Sequence, residues 1–138
     1  MSLTTTAHSV PGTLGQEVLV DSTYWLATDE PEHLGGSGSA PAPHELIPAA
    51  IAACVSTSLV MFARMKAWDL GQVAVDVEYD NNAAPRRFDI AIHVTGDLTG
   101  DQLRRLEKVA RACPVRRSFE VGAEFAESII CVTTKVAA

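Results

Sequence analysis

The first 63 residues of this 138-residue chain contain no lysine or arginine, although they hold six acidic residues. The rest of the chain has as many basic as acidic residues, so the net charge of −6 arises entirely in the first part. An acidic balance argues against nucleic acid or an anionic membrane as a partner, because both would repel it. At this length we expect one domain, residues 1–138, with residues 1–12 as a loose N-terminal lead-in.

Motifs for metals, nucleotides and secretion are also missing. No His or Cys pair has the spacing of zinc ligands, and Gly35-Gly36-Ser37-Gly38 is not followed by the lysine of a phosphate-binding loop. We therefore expect neither a metal nor a bound cofactor. The N-terminus has no positive charge and no continuous apolar run, so no signal peptide is predicted. Three cysteines, an odd number, indicate a reducing cytoplasm, where a disulfide is transient and catalytic.

The chain does contain one long uncharged stretch, between Glu45 and Arg64. It predicts a helix over residues 43–66, and a helix that is apolar on all sides is a buried helix. It reaches the minimum length of a membrane span. Pro48 and the cluster Ser56-Thr57-Ser58 lower its hydrophobicity, however, which favours a core helix over a membrane span. Near its middle, Cys54 lies among alanines and hydroxyl side chains.

The remaining pattern predicts an α+β fold with antiparallel sheets around this long central helix. Two strands are expected within residues 16–28, followed by a Gly/Pro/Ser loop over 29–42. Apolar residues alternate with polar ones in 73–79 and 88–94, which indicates a hairpin. A helix over 101–112, with Thr99 as N-cap, is followed by a short helix from Pro114 to about Glu120. Two final short strands are expected in residues 123–136.

The three cysteines differ in what their surroundings indicate. Cys131 lies in an apolar run and is expected in the core. Cys54 alone is more typical of packing than of chemistry, since free cysteine is usually buried. Cys113 precedes Pro114, so it is predicted at the N-cap of the short helix, where free N–H groups and nearby arginines stabilise a thiolate. From these features Cys113 is predicted to be the more acidic thiol.

Several segments together resemble the OsmC-like superfamily, which comprises osmotically inducible protein C and the organic hydroperoxide resistance proteins. The central segment resembles the family in its loop, in the start of its helix and in its first cysteine. The later segment resembles it in Cys113-Pro114-Val115, which is followed by Arg117. The matching central residues are Asp29-Glu30-Pro31, Gly35-Gly36, Pro41-Ala42-Pro43-His44-Glu45-Leu46 and Ala52-Ala53-Cys54. The resemblance covers about residues 16–136.

The resemblance implies an intertwined homodimer with active sites at its interface, and reduction of organic (fatty-acid or alkyl) hydroperoxides in oxidative stress defence. It implies that Cys54 is the peroxidatic cysteine, which becomes a sulfenic acid, and that Cys113 resolves it as a disulfide. An external dithiol, a lipoylated or thioredoxin-like protein, would reduce that disulfide. Arg117, Glu45 and His44 are expected to support the site.

The chain departs from the hydroperoxide resistance enzymes at one point. Those enzymes activate the first cysteine with an N-terminal arginine held by a glutamate, whereas this chain has no early arginine and carries His44 at the glutamate position. The cation must come from Arg64, Arg116 or Arg117, or the peroxidase is slow, or the substrate differs. The alternatives are a non-catalytic or redox-sensing module that binds a small ligand and, by analogy of fold alone, a thioesterase.

Overall fold

The computed structural model describes residues 2–132. Its regular elements follow one another in the order three strands, a long helix, two strands and two shorter helices. These are β1 (Thr5–Ser9), β2 (Gln16–Val20), β3 (Tyr24–Thr28), α1 (Leu46–Lys66), β4 (Val73–Asp80), β5 (Arg87–Val94), α2 (Gly100–Arg111) and α3 (Pro114–Val121).

The strands form two antiparallel sheets. One has the order β1-β2-β3, and the other is the β4-β5 hairpin, in which Val73 lies opposite Val94. The turn between β2 and β3 places Asp21 and Ser22 at positive φ, 50° and 53°. Aspartate tolerates this left-handed conformation better than most residues. The predicted α+β architecture with a long central helix is thereby confirmed.

A single buried stripe of α1 holds the core together. Ile51, Val55, Leu59 and Ala63 recur every four residues and are at most 3% exposed. They pack with the inward-facing valines of β4 and with α2. Burying each large aliphatic side chain stabilises the fold by roughly 1.5–3 kcal/mol. The stripe therefore determines how α1 is rotated about its own axis.

The other faces of α1 remain open in the single protomer. Met61 is 65% exposed and Met65 is 71% exposed, so the expectation of a helix buried on all sides does not hold for one chain. Residues 43–66 are long and apolar enough to cross a membrane by length and composition alone. Their buried stripe is that of a core helix, as predicted. Pro48 lies in the first turn of α1, where a missing N–H is tolerated.

Both shorter helices begin where the sequence predicts. The Thr99 hydroxyl accepts a hydrogen bond from the Gln102 N–H (3.2 Å), and the Gln102 side chain accepts one from the Thr99 N–H (2.8 Å). This reciprocal pair satisfies two backbone donors at the start of α2. Cys113 is the N-cap of α3, with Pro114 at its first position.

Three expectations for the chain ends are wrong. Thr5–Ser9 is not a loose lead-in but strand β1, and all its side chains are exposed. Because β1 is held by backbone hydrogen bonds to β2 and buries no side chain, its sequence shows no alternation of apolar and polar residues.

At the other end, residues 122–132 form no strand, and Ile129 is 99% exposed. Cys131 is likewise exposed instead of lying in the core, because no strand in the described protomer pairs with this segment. The expected strand residues 133–136 lie outside the described part.

The loop before α1 is closed by one buried carboxylate, which we call the Asp29 clasp. Asp29 Oδ1 accepts a hydrogen bond from the Glu30 N–H, and Oδ2 accepts from the N–H and hydroxyl groups of Ser37 and Ser39, at 2.6–3.2 Å. The Asp29 N–H donates to the Pro41 carbonyl (3.1 Å). These bonds, the Ser37 hydroxyl first, hold the Asp29 pKa well below its ordinary range.

We predict that Asp29→Asn loosens this loop and lowers the stability of the protein. Since folding lowers the Asp29 pKa, its contribution is fully present above the unfolded value of about 4 and is lost as the pH falls below it. Urea unfolding should show a lower midpoint for Asp29→Asn at neutral pH, and a shallower loss of stability below about pH 4. Asp97→Asn, at an exposed position without a hydrogen bond among the described residues, is the control. Equal midpoints for the two variants would contradict the clasp.

Candidate functional site

The fold brings together two cysteines that lie far apart in the sequence. Cys54 projects from α1 beside the buried stripe, and Cys113 lies at the N-terminus of α3, which packs on α1. Cys54 packs against the buried core cluster that contains Cys113, and each thiol shifts the pKa of the other. Both are free thiols, Cys54 half-buried and Cys113 0% exposed. The pairing that the family resemblance implies is therefore spatially available.

The N-terminus of α3 directs backbone donors at this thiol pair. Cys113 has the extended φ and ψ of −52° and 124°, which turn the chain sharply before Pro114 starts the helix. The Val115 N–H lowers the pKa of both thiols, and the Arg116 N–H lowers the pKa of Cys113. These are N–H groups of a first helical turn, which have no partner within the helix. The site thus offers neutral donors to a sulfur that becomes negative.

Hydrogen bonds lower the pKa of Cys54. Partial burial opposes its ionisation, but donation from the Cys113 thiol, the Val115 N–H and the Ser58 hydroxyl together outweigh that effect. The net result is a lowered pKa for Cys54. Because the thiolate is the nucleophilic form, Cys54 is the sulfur poised to attack.

Cys113 is shifted in the opposite direction. Its complete burial, followed by its hydrogen bond to Cys54, raises its pKa, and the N–H groups of Arg116 and Val115 offset this only in part. The prediction that Cys113 is the more acidic thiol is therefore wrong, although its N-cap position is confirmed. The physical reason is that two adjacent thiols share one negative charge, and the less buried sulfur takes it.

The charged residues predicted to support the site are not brought to it. Glu45 Oε2 accepts a hydrogen bond from the Ala42 N–H (2.7 Å), so it caps the entry to α1. His44, Glu45 and Arg117 are exposed, and within residues 2–132 no hydrogen bond or ion pair joins them to either thiol. Arg116 binds Glu120 (2.8 Å) and the Arg111 carbonyl. Their roles in the reaction stay predictions.

A groove of roughly 550 Å³ lies between α1, β5 and α3, and neither Cys54 nor Cys113 lines it. Ile51, one turn before Cys54 on α1, forms part of its wall, together with side chains of β5 and α3. The wall is mixed, with apolar residues and two guanidinium groups. It includes Phe88, Ile90, Phe119, Arg86 and Arg116. A small organic molecule with an apolar body fits such a wall.

Two of the groups that lower the Cys54 pKa have no role predicted from the sequence. The Val115 N–H gives no signal of its own, because any residue at that position supplies one. Ser58 does have a signal, since it follows Cys54 by four residues and such residues share a helix face. Its hydroxyl could be recognised only once Cys54 was treated as a thiolate needing donors.

Comparisons with known proteins agree with this fold. The family model described as OsmC-like protein matches residues 36–128. No curated protein matches the chain in sequence. Among solved structures, one similar chain is a proposed osmotic stress induced and detoxification response protein from Psychrobacter arcticus. It is 27% identical, with a TM-score of 0.72, over 86% of this chain and 88% of that one.

Two other similar structures carry names that concern hydroperoxides. One is the organic hydroperoxide resistance protein OsmC of Legionella pneumophila, 24% identical over 86% of this chain and 88% of that one, with a TM-score of 0.57. The other is a proposed organic hydroperoxide resistance protein of Vibrio cholerae with captopril bound in one of its active sites. It is 26% identical over 83% of each chain, with a TM-score of 0.57.

We predict that Cys54 alkylates faster than Cys113 at neutral pH, because it combines the lower pKa with the greater exposure. Iodoacetamide labelling followed by peptide mass spectrometry, repeated across a pH series, measures each thiol separately. The midpoint of Cys54 labelling should lie below that of free cysteine, about 8.5. Faster labelling of Cys113, or a Cys54 midpoint equal to that of free cysteine, would contradict this order.

Proposed function

Since the chain belongs to the OsmC-like family, we propose that it is a thiol-dependent reductase of organic hydroperoxides whose reacting atom is the Cys54 sulfur. The observation that carries the proposal is the contact between two free thiols with opposite pKa shifts. One thiol is held ready as a nucleophile, and its neighbour is kept protonated until it is needed.

The reaction balances with these two thiols alone as the internal electron source. The Cys54 thiolate attacks the terminal oxygen of the hydroperoxide. The O–O bond breaks, and the alkoxide leaves and takes a proton to become the alcohol. Cys54 is then a sulfenic acid. Cys113 attacks that sulfur as its thiolate, hydroxide leaves and is protonated to water, and a Cys54–Cys113 disulfide remains. An external dithiol, lipoylated or thioredoxin-like, returns both thiols.

The surroundings of the site support an organic substrate. The groove includes Ile51, one helical turn from Cys54, and the apolar part of its wall can shield an alkyl chain from water, while Arg86, Arg116 and Glu120 make the rest of it polar. Two of the similar structures are named as organic hydroperoxide resistance proteins, and one holds a small organic molecule in an active site. The fatty-acid or alkyl hydroperoxides that the resemblance implies are therefore the first substrates to test.

We predict that one equivalent of cumene hydroperoxide removes two free thiols and produces a Cys54–Cys113 disulfide. Thiol titration and non-reducing peptide mapping measure both changes. Cys54→Ser should abolish peroxide consumption, because the nucleophile is gone. Cys113→Ser should still reduce one equivalent but leave Cys54 as a sulfenic acid or a higher oxide.

Cys131→Ser is the matched control for this experiment, since Cys131 is exposed and outside the thiol pair. It should consume peroxide like the unchanged protein. A product in which Cys54 is over-oxidised while Cys113 stays reduced, even at one equivalent, would show that the two-cysteine cycle is wrong.

We also propose that the protein is an intertwined homodimer. The support is the apolar surface that one protomer leaves open on α1, on β3, where Trp25 is 59% exposed, and along residues 122–132. Exposed apolar patches of this size mark interaction surfaces. A second copy offers the same open faces and so can cover them reciprocally.

Light scattering should therefore give twice the chain mass of 14.7 kDa. We predict that Met61→Glu weakens the dimer, because it places a charge on the open face of α1 while costing an isolated protomer little. Lys108→Glu, at an exposed position of α2, is the control and should leave the dimer intact. A stable monomer of the unchanged protein would remove the dimer from the proposal.

A non-catalytic, small-ligand-binding module is the second candidate. The observation that favours it is the lack, within residues 2–132, of a cationic side chain among the groups that interact with Cys54. An unreactive Cys54, with no thiols lost to excess cumene hydroperoxide, would support binding over catalysis.

A further inference from the structure

We propose that Arg116 is a positioning residue for Cys113, because its guanidinium holds α3, the helix that Cys113 caps, against the end of α2. This inference rests on the proposed function, since it concerns how the resolving thiol is kept in place for Cys54. Arg116 Nη1 donates a hydrogen bond to the Arg111 carbonyl (2.5 Å) and forms an ion pair with Glu120 Oε1 (2.8 Å). We call these two contacts the Arg116 clamp.

The clamp spans the bend in which Cys113 lies. Helix α2 ends at Arg111, Cys113 is the N-cap of α3, and Pro114 begins that helix. The Arg116 side chain reaches back across this bend, from the first turn of α3 to the carbonyl of the last residue of α2. Such carbonyls have no partner within their helix and carry a partial negative charge, so a guanidinium is stabilising there. The clamp therefore links the two helices that Cys113 separates.

Apolar packing alone constrains α3 weakly. The helix has eight residues and buries none of them fully, and a helix this short is not stable by itself. Val115 packs against the core while only partly buried, and Phe119 packs on Phe88 with ring centroids 5.2 Å apart but stays 47% exposed. The segment after α3, residues 122–132, forms no helix or strand that could hold it. A polar contact across the bend therefore supplies a constraint that the apolar contacts of α3 do not.

The same contacts separate this role from a direct part in the chemistry. The charge of Arg116 is balanced by Glu120, and among residues 2–132 no hydrogen bond or ion pair joins its side chain to Cys54 or Cys113. Replacing the side chain also keeps the backbone N–H of the first turn of α3. A variant at this position thus changes where α3 lies without removing a group that touches either sulfur.

Disulfide closure is the step that depends most on this position. The Cys113 thiolate attacks the sulfur of the Cys54 sulfenic acid, the S–S bond forms, and the S–O bond breaks with loss of hydroxide, which is protonated to water. A disulfide forms only within a narrow range of distances and angles between the two side chains. A displacement of the α3 N-terminus therefore makes closure slower and the disulfide less stable.

The test is the equilibrium of the thiol pair with glutathione in the full-length protein, with Cys131→Ser in every variant. Oxidised glutathione takes two electrons from the pair, which gives the protein disulfide and two reduced glutathione molecules without any peroxide. Thiol alkylation and peptide mass spectrometry then give the effective concentration of one thiol at the other. It should fall about tenfold in Arg116→Ala, and about threefold in Glu120→Gln, which keeps the bond to the Arg111 carbonyl.

Two further variants serve as rescue and control. Arg116→Lys keeps a cation that can bind one of the two partners, so it should recover part of the loss. Arg104→Ala removes an arginine that pairs with Asp101 within α2 and does not span the bend, so it should leave the effective concentration unchanged. An unchanged value in Arg116→Ala, or an equal fall in Arg104→Ala, would overturn the role of Arg116. If Arg116→Ala does not fold, Glu120→Gln is judged by the same criterion.

The peroxide reaction supplies the second measurement. A Cys54 sulfenic acid either closes with Cys113 or is oxidised further by excess cumene hydroperoxide, so the ratio of disulfide to sulfinic acid does not depend on how fast the sulfenic acid forms. At a fixed excess this ratio should fall about tenfold in Arg116→Ala, and an unchanged ratio would contradict the proposal. If the glutathione equilibrium shifts as expected but no variant consumes peroxide, the proposed function fails while the role of Arg116 stands.

Discussion

The packing of the α1 stripe on β4 and α2 determines where the chemistry of this protein lies. Val55 is fully buried, and its neighbour Cys54 is therefore directed to the edge of the core instead of its centre. A helix turned by one position would bury Cys54 in the stripe and make it a small apolar side chain. The same packing orients α3, whose first turn brings Cys113 and the Val115 N–H against the sulfur. The packing that forms the core therefore also positions the residues of the candidate site.

Two thiols in contact cannot both ionise, and their unequal burial decides which one does. Cys113, with no exposed surface, stays neutral and donates its proton toward Cys54. The consequence for a catalytic cycle is an ordered use of the sulfurs. Once Cys54 has lost its negative charge by oxidation, the charge that raised the Cys113 pKa is gone. The N–H groups of Val115 and Arg116 are then free to stabilise a Cys113 thiolate at the N-terminus of α3.

The sequence predicts those parts of the fold that have local causes. The β4-β5 hairpin follows from strict alternation, and α2 follows from Thr99 and its apolar stripe, so both are confirmed. Strand β1 has no exposed-buried alternation to reveal it, because every side chain of Thr5–Ser9 faces solvent. The apolar segment near Ile129 was predicted as a strand, but a strand needs a partner, and the described protomer provides none. A local sequence pattern does not show which segments pair with each other in the folded protein.

Some features of the candidate site could likewise be predicted from the sequence, whereas others could not. That Cys113 caps α3 follows from one proline, whereas the order of the two pKa values depends on burial, which only the assembled fold decides. Ser58 lies between these cases, since its spacing from Cys54 can be read from the sequence but its effect on the Cys54 pKa depends on the assembled fold.

Absence of positive charge from the first 63 residues has consequences beyond the single protomer. Relatives of the hydroperoxide resistance type are expected to draw an arginine from their N-terminal strands, so their thiolate is stabilised by a full charge. Here the corresponding strands bring none, and the nearby Arg116 is already neutralised by Glu120. Neutral donors stabilise an anion less than a guanidinium at the same distance, because they contribute dipoles instead of a net charge. A Cys54 thiolate held in this way would be less fully populated at neutral pH but more nucleophilic once formed, since nucleophilicity rises with thiol pKa.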